Sequence, residues 1–266
     1  MKVLGQLRKM DVEAQSPIAY FLSLDKKSYP LNQHIGESIS LKWAGTITCI
    51  ECGRKTRKSY DQGYCFPCSR DLPGNAMCSV RPELCEHEKG NEADQEFWRT
   101  HCKIDHFVYL SLTSGVKVGI TRHYNIPDRW IDQGAVKGLI IAKVPERVLS
   151  GQIEVAIAKD FADKTNWRKM LKGEVAEVDL LTFRDKAQEL FPTELKKYAV
   201  KDGQVEELDY PVESVPEKIS SHNLDKTPEF TDRLTGIKGQ YLIFERRVIN
   251  MRKYGGYHVE FNFQDR

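Results

Sequence analysis

The sequence predicts an α+β protein. Three observations carry that class: two CxxC pairs set in a β-rich first third, an alternating hairpin at 106–122 followed by helical periodicity, and β-rich segments at both ends. A chain of 266 residues with 40% hydrophobic content can bury the core of one large domain or of two modest ones. No apolar run approaches the roughly 18 residues of a membrane span. The opening "MKVLGQLRKMD" also lacks the continuous apolar block of a secretory leader. The expectation is a cytoplasmic protein with no membrane partner. Seven cysteines in that setting suit metal ligation or free thiols better than disulfides.

Residues 1–48 form the first element. "IAYFLSL" and "ISLKWAGTITC" are rich in branched and aromatic residues and read as strands. A zinc-binding region follows at 49–105. In "CIECGRKTRKSYDQGYCFPC", Cys49, Cys52, Cys65 and Cys68 make two CxxC knuckles twelve residues apart. Each knuckle lets two sulfurs converge on one ion, and four thiolates with no water position suit a closed, structural Zn²⁺. A redox CxxC needs only one pair. A second site is expected from "CSVRPELCEH" and "HCKIDH", most simply Cys78, Cys85, His87 and Cys102, with His101 the rival for the histidine position. One or two structural zinc ions are therefore expected, with the region Cys49 to Cys102 forming one compact unit.

The core is placed at 106–200. "HFVYLSLTSGVKVGITR" alternates around a turn containing Ser114 and Gly115, as an ordinary hairpin would. Pro127 can open a helix from whose first turn Arg129 projects. Ile153, Ala156, Ile157 and Phe161 recur at helical spacing, with Glu154 on the edge of that stripe. "DKTNWRKML" then supplies Asn166 beside Trp167.

Tyr109, Lys117-Val118-Gly119, Arg129, Glu154 and Asn166, in that order, resemble the core of the GIY-YIG nuclease superfamily over roughly 107–171. Phe107-Val108-Tyr109 keeps the final tyrosine of the first tripeptide, and Lys117-Val118-Gly119 keeps the final glycine of the second. Lys117 stands where the second tyrosine would be. The resemblance implies a small mixed sheet with flanking helices and a divalent-metal-dependent endonuclease activity. In that scheme Tyr109 activates water, Glu154 holds one Mg²⁺ or Mn²⁺, and Arg129 grips the phosphate. Lys117 lowers the proton affinity of the tyrosine or contacts the phosphate, Gly119 keeps the face open, and Asn166 orients Glu154 or a loop. Across nearly its whole length the chain also resembles a bacterial domain-of-unknown-function family, through the cysteine clusters, "KVGITR", "RWIDQGA", "DKTNWRKML" and "GIKGQYLIF".

An acidic, proline-containing stretch at 201–230 reads as a solvated linker. At 231–266, "QYLIFERRVINMRKYGGYHVEFNF" offers strands that would pair with the N-terminal ones into a sheet or barrel. Arg246, Arg247, Arg252 and Lys253 interleave there with Tyr254 and Tyr257. Together with Arg122 at the end of the hairpin, they are the expected nucleic-acid contacts. The net charge of +2 argues for a limited footprint or a folded RNA rather than a long duplex track. Two readings follow: an endonuclease acting on DNA or RNA, and a noncatalytic zinc-containing nucleic-acid-binding protein. No oligomeric state is expected from the sequence.

Overall fold

A computed structural model, which describes residues 1–158, 161 and 166–263, divides the α+β chain into two units. One unit joins Met1–Asp71 to Asp209–Arg266, and the other is Leu72–Leu208. Among the described residues, no helix is long and apolar enough to cross a membrane. The first unit is built on an antiparallel sheet. Its spatial order is Lys2–Gln6, Tyr257–Phe263, Ser38–Thr48, Glu229–Lys238, Tyr241–Phe244 and Val248–Asn250, with Lys55–Thr56 paired to the far end of Ser38–Thr48. Burial alternates along Tyr257–Phe263, where Val259, Phe261 and Phe263 point into the core, because successive strand side chains face opposite sides. The chain ends meet in this sheet. Lys2–Gln6 pairs with Tyr257–Phe263, and the Met1 ammonium donates to the Phe263 carbonyl at 2.7 Å.

Three expectations are corrected in this unit. The acidic stretch is not a solvated linker: Val212 bridges to Gly236, Ser221 bridges to Val248, and Ile219, His222 and Leu224 are buried. Apolar residues spaced between the acids give the segment a face to bury, which outweighs its charge. Arg246 and Arg247 are tied to an acidic partner, although Arg246 stays exposed. Their Nε atoms lie 3.4 and 3.1 Å from the buried Asp232 carboxylate, and Arg247 also stacks over Phe230 at 4.9 Å. A buried carboxylate needs such partners. The tyrosines do not present rings to a strand, since Tyr254 and Tyr257 are buried and Tyr257 donates to Asp225 at 2.7 Å. Arg252 and Lys253 sit on the turn Met251–Tyr254, with the Lys253 ammonium 5.2 Å from the Tyr254 ring.

The second unit holds a four-stranded sheet in the order Glu206–Glu207, Lys137–Val144, His106–Leu112, Val116–Arg122. Every pairing in it is antiparallel, so the mixed sheet is corrected too. The short hairpin turn dictates antiparallel pairing at one side. Val108, Leu110 and Leu112 pack with Leu139, Ile141 and Val144 against Ile153 and Ile157 of the helix Arg147–Ala158. Tyr109 points the other way, into a pocket shared with Trp130 and Ala135. Trp130 belongs to the short helix Asp128–Asp132, and Gly138 has no Cβ because the Trp130 ring fills that space.

Residues 72–105 form a succession of helical turns packed on the helix Arg147–Ala158. At Gly151 a Cβ would overlap the Glu83 backbone, and Arg147 donates to the Ser79 carbonyl at 3.1 Å. The cysteine-rich region is therefore not one unit. Cys49 to Cys68 fold with the terminal sheet, and Cys78 to Cys102 fold with the hairpin. Spacing within a knuckle says which sulfurs converge, whereas the packing partner of each knuckle is a tertiary matter. The Asp163–Thr165 portion of "DKTNWRKML" lies outside the described residues.

Candidate active site

Two side-chain clusters can hold metal ions. In the first unit, Cys49 follows the long strand, Cys52 lies in the loop before Lys55–Thr56, and Cys65 and Cys68 flank the start of the helix Phe66–Asp71. The ligand atoms of all four lie within 4.8 Å of one another, with the sulfurs of Cys52 and Cys65 3.7 Å apart. Gly53 makes the knuckle's turn at φ +70°, where a Cβ would be strained. Burial raises the Cys49 thiol, but hydrogen bonds from the backbone of Cys52, Cys65 and Glu51 outweigh it and bring the group down to about 6. That favours the thiolate a metal requires.

In the second unit, Cys78, Cys85 and His87 converge. His87 Nδ1 stands 3.5 Å from each of the Cys78 and Cys85 sulfurs and 3.9 Å from that of Cys102, which is itself 3.7 Å from Cys85. Asp94 Oδ1 lies 3.9 Å from His87 Nε2, while Oδ2 accepts from the Asn91 amide in the capping box of Glu92–Phe97. His101 is not part of this cluster. It sits on the π-helical turn Trp98–Cys102, bonded to Thr100 and stacked on Phe97 at 4.3 Å.

Beside the second cluster a cleft of about 650 Å³ runs along the strand Val116–Arg122. One wall is the strand itself, with Lys117, Gly119 and Arg122. Arg129 and Gln133 come from the Asp128 helix and its C-terminal end, and Arg147 and Glu154 come from the long helix. The opposite wall is Ser79, Val80, Pro82 and His101, all from the segment that carries the second cluster's ligands. Among the described residues, four cationic side chains thus face one carboxylate. His106, also on the cleft, is pushed down to about 4, by burial first and by Arg147 and Arg122 next, so it adds no charge at neutral pH.

The hairpin register sets the chemistry. Tyr109 pairs directly with Gly119, and a Cβ on Gly119 would lie 2.5 Å from the Tyr109 hydroxyl. The glycine makes room for the phenol, which is fully buried and donates to Gln133 Oε1 at 3.3 Å. Burial raises the Tyr109 phenol, and Arg129 and then Gln133 partly offset it. Lys117 acts elsewhere: it and Arg129 partly offset the burial that raises the Glu154 carboxyl. Arg129 is the cation that most offsets the burial of the Tyr109 phenol, and Lys117, for which a phosphate contact is the alternative role, lines the cleft. Asn166 stands apart from these groups. Its side chain accepts from the Arg168 and Lys169 amides as the N-cap of Trp167–Lys172, so it orients that helix and not Glu154.

Gln133, Arg147 and His106 escaped sequence reasoning, and His101 reads in sequence as a possible zinc ligand rather than as part of the cleft wall. A signal existed for two of them: Gln133 is four residues beyond Arg129, and Arg147 is seven before Glu154 on the same helix. The histidines carry no local pattern that separates them from surface residues.

Gly119→Ala is expected to destabilise the protein by about 1–3 kcal/mol, since a buried methyl must displace a buried ring. Urea melts and the fluorescence of Trp130, whose ring meets Tyr109 edge-on at 6.0 Å, should both register it.

A family described as a protein of unknown function (DUF2797) matches residues 36–259. No curated protein and no solved structure matches the chain.

Proposed function

Because the chain belongs to the DUF2797 family, whose description names no activity, its function has to be read from the cleft, and we propose that the cleft binds and hydrolyses a nucleic-acid phosphodiester in the manner of a GIY-YIG endonuclease. The observation that carries this reading is the convergence of Lys117, Arg129 and Glu154 on one cleft, with the Tyr109 phenol packed on Gly119 directly behind it. Arg129 offers a planar fork to a phosphate, and Lys117 and Arg147 add point charge to a leaving oxygen. Gln133, held by Tyr109, can orient a water by hydrogen bonding. Among the described residues, Glu154 is the one carboxylate on the cleft wall and would hold Mg²⁺ or Mn²⁺, which usually takes one or two carboxylates and completes its shell with water and phosphate. When bound, such an ion polarises the phosphate and lowers the proton affinity of water. Tyr109, whose proton is held tightly, would support Arg129 and Gln133 rather than act as a base.

Zinc is the ion we assign to both sulfur clusters. A tetrahedral zinc with ordinary bond lengths separates two sulfurs by about 3.8 Å and a sulfur from a nitrogen by about 3.5 Å. The distances of 3.7 Å in each cluster and 3.5 Å to His87 Nδ1 agree with that.

A noncatalytic nucleic-acid-binding protein is the second reading. It is favoured by the full burial of Tyr109, which takes no part in the cleft surface. Labelled single- and double-stranded DNA and RNA, incubated with and without Mg²⁺ or Mn²⁺, separate the two. Metal-dependent product that disappears in Glu154→Ala and falls in Tyr109→Phe, with zinc content unchanged, supports the enzyme. Retention of every substrate uncut, with binding preserved, leaves the second reading.

A further inference from the structure

We propose that the outer face of the Cys49–Cys68 knuckle is a binding site for single-stranded nucleic acid. Arg54, Lys55, Arg57 and Lys58 are all exposed, and among the described residues none of them makes an ion pair. Four unpaired cations within five residues repel one another, an arrangement that a polyanion would relieve.

Beside them runs a ladder of rings and cations. The Lys58 ammonium stands 5.3 Å from the Tyr60 ring, Tyr60 meets Phe66 edge-on at 5.6 Å, and the Arg70 guanidinium lies 5.7 Å from Phe66. Phe66 is 54% exposed at the start of its helix, so this ring is not held back for the core. Arg70 pairs with Asp71 on the surface, a contact of little energetic weight that does not compete with a phosphate. Aromatic faces interleaved with cations are what a flexible strand recognises, its bases stacking while its phosphates find charge. A duplex hides its base faces and gains only from the cations. The four cysteines fix the ladder in advance, so little ordering accompanies binding.

The site requires no cleavage and rests on no property of the cleft. Its test is fluorescence anisotropy with fluorescein-labelled 20-nucleotide oligo-U, oligo-dT and a duplex, using Glu154→Gln protein so that strands stay intact and no divalent metal is added. Phe66→Ala should weaken single-strand binding about tenfold and duplex binding much less. The combined Arg54→Gln, Lys55→Gln, Arg57→Gln and Lys58→Gln protein should reduce the slope of log affinity against log salt by about 3, the value for four phosphate contacts to a single strand. Zinc content and far-UV dichroism establish that both variants are folded. Folded variants that bind oligo-U and oligo-dT within twofold of the parent overturn the proposal. Parallel cleavage assays keep the two readings separate: knuckle binding without cleavage counts only against the enzyme, and cleavage with unaltered knuckle variants counts only against this site.

Discussion

We expect Glu154→Gln to abolish the proposed metal-dependent cleavage, by at least about 10³-fold in kcat, without lowering the melting temperature. The first half follows from the loss of the one carboxylate that the described residues place on the cleft wall, since several kcal/mol of charge stabilisation by a divalent ion would be lost with its ligand. The second half follows from the direction in which Glu154 is displaced. Burial is the largest influence on it and raises its carboxyl above the ordinary value, and Lys117 and Arg129 offset only part of that. A carboxyl raised in the folded state favours folding below its unfolded value, and that contribution is lost as the pH rises through the folded value. At neutral pH the ionised group is therefore a net cost, which glutamine removes. The wild-type rate should climb with pH as Glu154 ionises, with a midpoint above that of a solvated glutamate. Cleavage retained by Glu154→Gln, or a large fall in its melting temperature, would refute this assignment.

The two sulfur clusters respond differently to the loss of a ligand. Cys65→Ser removes a buried thiolate from the terminal-sheet unit, and closed four-thiolate sites contribute on the order of 10 kcal/mol of folding free energy. Even with part of that recovered by relaxation, the melting temperature should fall by about 10 °C or more, and one metal ion per chain should be lost. Among the described residues, none that lines the cleft belongs to this unit, so the cleft's own fold should persist below the transition. Cys85→Ser strikes the other cluster. Ser79, Val80, Pro82 and His101 lie within the segment its ligands tie together, so the variant should lose cleavage at temperatures where it is still folded. Elemental analysis, calorimetry and the substrate assay on the two variants decide the matter. Equal loss of activity in both, with one shared thermal transition, would contradict the division.

Much of the site was legible because its signals are local. The CxxC spacing brings two sulfurs together whatever the rest of the chain does, and the alternation at 106–122 sets Tyr109 across from Gly119 once a short turn joins the strands. Glu154 on the edge of an apolar stripe was readable from the 3.6-residue period. For Asn166 the two expected roles, orienting Glu154 or a loop, have no separate local signal. A side chain that caps a helix and one that orients a carboxylate look the same in sequence, and only the two backbone amides bonded to Oδ1 separate them.

By itself, the sequence determined the α+β class, the convergence of the cysteines within each cluster, the hairpin and the helix that carries Glu154. These depend on interactions between residues near in sequence, whose geometry is set by backbone period and turn length. Only the tertiary structure decided that the cysteine region is split between two units. It also decided that the acidic stretch packs, that Arg246 and Arg247 serve the buried Asp232, and that Arg129 and Gln133 act on the buried Tyr109 phenol. Each of those turns on which partner a buried charge or an apolar face finds across long stretches of chain. Burial makes the choice, because an unpaired charge or an exposed apolar face is costly in the folded state, and composition does not reveal in advance which groups will be buried.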